Sequence, residues 1–169
     1  GAITNDTVSA IKTALQNNSS AMVSLDLSGT TGLTEIPDEA FYDYDNLTNV
    51  IIPDGVTSIG DRAFSSCSSL ISIDITSIEW WAFSNCSSLI SIDIPNGVDS
   101  IGHNMFKNCS SLISVTIGNS VSYIGLSAFY GCSSLTSVTC LAINPPTFEN
   151  DCFNETLYVR CGRVETYFN

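Results

Sequence analysis

Seven cysteines, one histidine and seventeen carboxylates are the side chains of this 169-residue sequence best equipped for chemistry. Four of the cysteines, Cys67, Cys86, Cys109 and Cys132, recur at spacings of 19, 23 and 23, each three residues after a phenylalanine and three before a leucine. A thiolate nucleophile needs an imidazole within hydrogen-bond reach. The sole histidine, His103, follows Ile101 and Gly102 at a surface turn, away from these cysteines in its own repeat. A zinc site needs tetrahedral ligands, whereas no Cys-x-x-Cys pair occurs and side chains at one repeating position point the same way. The acidic stretch Asp38, Glu39, Asp43, Asp45 and Asn46 lacks the spacing and the glycine of a calcium loop. No acid, base and nucleophile converge, so the expectation is a chain without catalysis, cofactor or metal.

The spacing says more about what carries these residues. Ala-Phe, or Met-Phe once, stands at Phe41, Phe64, Phe83, Phe106 and Phe129, and a leucine follows the last four at Leu70, Leu89, Leu112 and Leu135. Alternating segments come next: Leu70, Ile73, Ile75, then Leu89, Ile92, Ile94, then Leu112, Val115, Ile117, as half-buried strands require. A second apolar pair closes the coil at Val56 and Ile59, Val98 and Ile101, Val121 and Ile124, after turns such as Pro95, Asn96, Gly97. A single such coil buries nothing alone, so neighbours must stack at about 4.8 Å. The cysteines then form a buried, reduced ladder. Cys140 replaces a strand isoleucine and also faces inward, and a bridge from it to Cys161 stands as an alternative to two free thiols. The serine pairs after each ladder cysteine read as turn structure.

Both ends break the period. Residues 1–21 read as an N-terminal cap with a helix carrying Val8, Ile11, Ala14 and Leu15 on one stripe, 22–143 as the stacked coils, and 144–169 as a C-terminal cap closing in a short helix from Gly162 to Phe168, all in one domain.

The unit Cys-Ser-Ser-Leu-x-Ser-Ile-x-Ile-Pro-x-Gly-Val-x-x-Ile-Gly-x-x-x-Phe, clearest from Cys86 to Phe106, resembles the BspA-like subclass of bacterial leucine-rich repeats, as does the closing run from Pro145 and Pro146 through Leu157, Tyr158 and Val159 to Tyr167. The expected fold is a repeat solenoid, a β-rich leucine-rich repeat of about six right-handed coils of 23 residues with short helical N- and C-terminal caps. The resemblance implies a surface or secreted protein, some relatives being adhesins towards host matrix proteins or other cells. The sequence departs from the pattern in its 19-residue coil and at Arg160, where proline is more usual.

Five basic against seventeen acidic residues give a net charge of −12, which repels nucleic acid and anionic lipid. No apolar run approaches the roughly 18 residues of a transmembrane segment, and the start at Gly1 shows no export signal. The expected setting is extracellular or cell-surface, the signal lying outside this sequence, and the expected state is a monomer.

Residues between the core positions line up in columns across coils. One reads Ser24, Asn49, Ser72, Ser91, Ser114, Ser137, and another Asp26, Ile51, Asp74, Asp93, Thr116, Thr139. Beside them Ile71, Ile90 and Ile113 form an apolar stripe, either exposed or half covered by the preceding turn. The 19-residue coil lacks a Pro-Asn-Gly-Val equivalent, so a notch is expected there, beside the only tryptophans, Trp80 and Trp81. Trp81, next to the core pair Ala82 and Phe83, is expected to be the more buried and Trp80 the more exposed. Trp80, Trp81, Ile71, Ile90, Ile113, Asp26, Asp74 and Asp93 are therefore the candidate contacts of a protein partner, a host matrix or cell-surface protein. The alternative function is a spacer or cap presenting another domain.

Overall fold

The computed structural model describes residues 5–17, 20–53, 55–73, 81–153, 157–161 and 164–168, the side chains of 5–7, 9, 16, 157–161 and 164–168 excepted. In chain order its elements are α1 (Asn5–Gln16), β1 (Val23–Asp26), β2 (Glu35–Ile36), β3 (Leu47–Ile51), β4 (Ser58–Ile59), β5 (Ser72–Ile73), β6 (Ser91–Ile94), β7 (Ser100–Ile101), β8 (Ser114–Ile117), β9 (Tyr123–Ile124), β10 (Ser137–Cys140), β11 (Thr147–Phe148), β12 (Leu157–Cys161) and β13 (Val164–Phe168).

The apolar alternation produces one strand per coil, and successive coils pair in parallel. β1, β3 and β5 form one run, and β6, β8, β10 and β12 the next, with Ser91↔Ser114↔Ser137 and Asp93↔Thr116↔Thr139 in register. Residues 74–80, including Asp74, Trp80 and the expected notch, lie outside the described residues; across them the Ile90 N–H donates to the Ile71 carbonyl at 3.3 Å. The Val-x-x-Ile segments build a second, shorter ladder, β2 with β4 and β7 with β9 with β11. The result is a β-solenoid of about five turns at a spacing of about 23 residues.

The third wall is neither strand nor helix. Each Phe N–H donates forward to the next coil, Phe64 to Ala82 O at 2.9 Å and Phe106 to Ala128 O at 2.8 Å, and Asn85 and Asn108 do the same to Lys107 O and Tyr130 O at 2.7 Å. Reaching those carbonyls requires left-handed backbone at two positions per coil: Arg62 and Ser66, Trp81 and Asn85, Asn104 and Asn108, Ser127 and Gly131. Only Gly131 of these is free of the Cβ penalty, roughly 1–2 kcal/mol for each other residue, which the bonds to the next coil offset. Glycine is obligatory elsewhere in the coil for closeness: a Cβ on Gly125 would lie 2.8 Å from the His103 backbone nitrogen.

Inside, Phe41, Phe64, Phe83, Phe106, Phe129 and Phe153 form one stack of near-parallel rings with centroids 5.2–5.6 Å apart. Cys67, Cys86, Cys109 and Cys132 run beside it as buried free thiols. They are more than small apolar fillers. Each thiol donates to the carbonyl of a phenylalanine in the preceding coil, Cys67 to Phe41 at 3.0 Å, Cys86 to Phe64 at 3.1 Å, Cys109 to Phe83 at 3.2 Å and Cys132 to Phe106 at 3.1 Å. Burial pushes the Cys67 thiol up to about 12 and those of Cys86 and Cys109 well above the ordinary range. These thiols should therefore resist a thiol reagent at neutral pH in the native protein and react at once in denaturant; rapid native labelling of Cys86 or Cys109 would contradict the ladder.

At the front, α1 lies with Val8 and Leu15 buried and is fastened by the Tyr44 hydroxyl, which donates to Lys12 O at 2.9 Å. At the back the expected helix is replaced by a hairpin: β12 pairs in parallel with β10 and antiparallel with β13, Leu157↔Phe168 through Cys161↔Val164. Val164, Thr166, Tyr167 and Phe168 are strand formers, and β12 without β13 would present an open edge of unpaired backbone groups. Cys140 is a buried free thiol in register with Cys161, whose side chain lies outside the described residues.

Candidate functional site

The leucine after the serine pair is buried in three coils, and so is the residue three further on: Leu70 with Ile73, Leu89 with Ile92, Leu112 with Val115. Two residues, not one, separate them, so strict alternation slips and the first of the two is turned outward. Ile71, Ile90 and Ile113 occupy that place, 45%, 45% and 48% exposed, so the stripe is open and not covered by the preceding turn. Their backbones are joined, Ile90 N–H to Ile71 O and Ile113 N–H to Ile90 O at 2.8 Å, which holds the column at strand spacing, about 4.8 Å.

These isoleucines, with Met22 and Thr48 at the N-terminal end, line a groove of about 660 Å³ whose other members are Ser69, Ser88, Ser111 and Ser134. Here the two serines of each pair part ways. The first serine bonds to the preceding coil in three of the pairs, Ser68 to Asp45 Oδ1 at 2.7 Å, Ser87 to Ser68 O at 3.3 Å and Ser133 to Ser110 O at 3.4 Å. The second, in the groove, has a hydroxyl with no partner among the described residues. The expectation that both are structural holds for the first serine in those three pairs, where stacking uses one hydroxyl and leaves the next facing solvent.

Along the strands beyond the stripe, Asp26 and Asp93 are exposed, and the Asp26 carboxyl is held below its usual range by hydrogen bonds from Ser28. Ser72 donates to Asn49 Oδ1 at 2.6 Å in the neighbouring column. Lys12, Arg62 and Lys107 all lie elsewhere: Lys12 reaches Glu39 O, Arg62 pairs with Glu39, and Lys107 sits over the rings of Trp81 and Tyr130 at 5.8 and 5.9 Å.

Trp81 is half-buried on the turn wall, outside the core and apart from the groove, because its left-handed backbone places it beside Lys107. The ladder of acidic and amide groups is structural: Asp38 Oδ1 accepts from Asp61 N–H at 2.8 Å, Asn96 Oδ1 from Asn119 N–H at 3.0 Å and His103 Nδ1 from Leu126 N–H at 2.9 Å. Tyr123 donates to Glu149 at 2.6 Å, which pushes its phenol up to about 12. Among the described residues no three of His, Cys, Asp and Glu are grouped as metal ligands.

A parallel solenoid whose coils repeat a Phe, Cys and Leu core and offer one open face is a leucine-rich-repeat architecture. The BspA type leucine rich repeat region matches residues 34–160 in six copies, and the chain belongs to that family. A leucine rich cell surface protein from Faecalibacterium prausnitzii is similar, with 35% identity and a TM-score of 0.64 over 67% of this chain. The alignment covers 31% of that protein, so the chain spans about a third of its length. The leucine rich repeat protein of T. pallidum is similar at 26% identity and a TM-score of 0.56, over 68% of this chain and 69% of that one. Among curated proteins none matches. Such solenoids are commonly protein-binding and generally non-enzymatic, and no helix among the described residues is long and apolar enough to cross a membrane.

Proposed function

We propose that this chain is a protein-binding module of a secreted or surface-displayed bacterial protein and grips an extended polypeptide of a host matrix or cell-surface partner along the groove. The observation that supports it is the pairing of an open isoleucine stripe with a row of unengaged hydroxyls at the same spacing. Apolar surface that contributes nothing to the core is costly to leave in water unless it serves contact, and donors along its rim supply direction. Ile71, Ile90 and Ile113 are the floor in this reading, and Asp26 and Asp93 the outlying charges. Trp81 belongs to another wall and is not needed.

A displayed peptide library panned on the wild-type chain tests this. Peptides so selected are expected to lose about tenfold or more in affinity for Ile71→Ser/Ile90→Ser/Ile113→Ser, a change that stacks no like charges and leaves the fold in place. Equal affinity for that variant would move the site off this face.

A further inference from the structure

Resting on the groove reading, we propose that the occupant is a basic, proline-rich segment in the polyproline II conformation, lying along the solenoid axis. Three observations point there. The first is period. The contact columns repeat at about 4.8 Å, so two coils advance about 9.6 Å. A polyproline II helix returns to the same face every three residues, about 9.3 Å, and stays within about 0.6 Å of the columns over four coils. A β-strand repeats its face at roughly 6.7 Å, which matches neither one coil nor two. An α-helix advances about 5.4 Å per turn and drifts by more than 2 Å over the same distance.

The second is hydrogen bonding. A polyproline II segment makes no internal hydrogen bonds, so its carbonyls remain acceptors. Ser69, Ser88, Ser111 and Ser134 present hydroxyls with no partner among the described residues, one per coil on the groove. A β-strand partner would instead need an open sheet edge, and here β8 and β10 are paired on both sides.

The third is charge. The chain carries −12, Asp26 and Asp93 are exposed on the face that carries the stripe, Lys12, Arg62 and Lys107 are engaged elsewhere, and Arg160, in register with Thr139, stands at the C-terminal end of the Asp column beyond the groove. A lysine or arginine every third residue of the ligand would point out over these carboxylates while prolines rest on the isoleucines. Four coil spacings span about 19 Å, so about six residues suffice to fill the groove.

Fluorescence anisotropy with a labelled peptide of four Pro-Pro-Lys triplets tests the inference. Binding is expected, weakened about tenfold by Ile90→Asp and several-fold by Ser88→Ala/Ser111→Ala, and weakened again by salt. Four Pro-Pro-Glu triplets should not bind. If a strand-forming peptide of the same length and charge, with valine at every other position and lysines and threonines between, binds as well or better, with the same loss on Ile90→Asp, the polyproline conformation is wrong and the groove reading stands. Binding of the Pro-Pro-Lys peptide indifferent to Ile90→Asp overturns both. Absence of any Pro-Pro-Lys binding, while library peptides still need the isoleucines, overturns the inference alone.

Discussion

Replacing Phe106 by alanine is expected to cost about 3–5 kcal/mol of unfolding free energy, the range for emptying a fully buried phenylalanine site. The ring stands in the middle of the stack, 5.5 Å from Phe83 and 5.3 Å from Phe129, and is inaccessible to solvent. Collapse into the void is opposed on both sides, because the Phe106 N–H and carbonyl are tied to Ala128 O and the Cys132 thiol. Coils couple chiefly to their neighbours, so the same change should also broaden the denaturant transition, the halves on either side melting less together. A loss below about 1 kcal/mol in urea melts would mean that the ring is not the hinge of the stack.

The second large effect is alkaline. Burial pushes the Cys67 thiol up to about 12 in the folded chain and those of Cys86 and Cys109 well above the ordinary range, whereas the unfolded chain releases these protons near 9.0. Above pH 9 the unfolded state therefore binds fewer protons than the folded one, and stability falls as pH rises; below pH 9 the contribution is fully present. Each thiol lowers stability by about 1.4 kcal/mol per pH unit in that window, or about 4 kcal/mol for the three together, which exhausts an ordinary domain's stability within two or three units. Urea melts from pH 8 to 11 under reductant should show that slope, and Cys109→Ala should reduce it by about a third. A stability level from pH 8 to 11 would show that the thiols are wetter than the structure has them.

The columns were readable because a strict period leaves no freedom: once Phe83 and Phe106 are equivalent, Ile90 and Ile113 must be. The exposure of Ile90 was not, since it depends on whether one residue or two separates Leu89 from Ile92 in the pleat. Adjacent serines look alike in sequence, and only the preceding coil, with Asp45 or the Ser68 carbonyl in reach, distinguishes Ser68 and Ser87 from Ser69 and Ser88. The place of Trp81 on the turn wall was not legible either, since left-handed backbone at a tryptophan is set by bonds to the next coil that no local propensity reveals. The C-terminal segment failed for a related reason. Its apolar spacing fits a helix, but the edge of β12 offers ladder bonds that a helix would leave unmade.

The bonds that join one coil to the next run to the neighbour about 23 residues away, while the others close tight turns within the coil, and this gives the chain a mechanical character. A coil of about 23 residues takes up only about 4.8 Å of axis, yet its backbone drawn straight spans roughly 80 Å. Tension applied through the ends therefore meets the terminal coils first and pays out thread one turn at a time, the interior remaining wound. A surface array of such turns holds a long reserve of extension within a short rod, and a partner lying across several turns would act as a clasp on that spool.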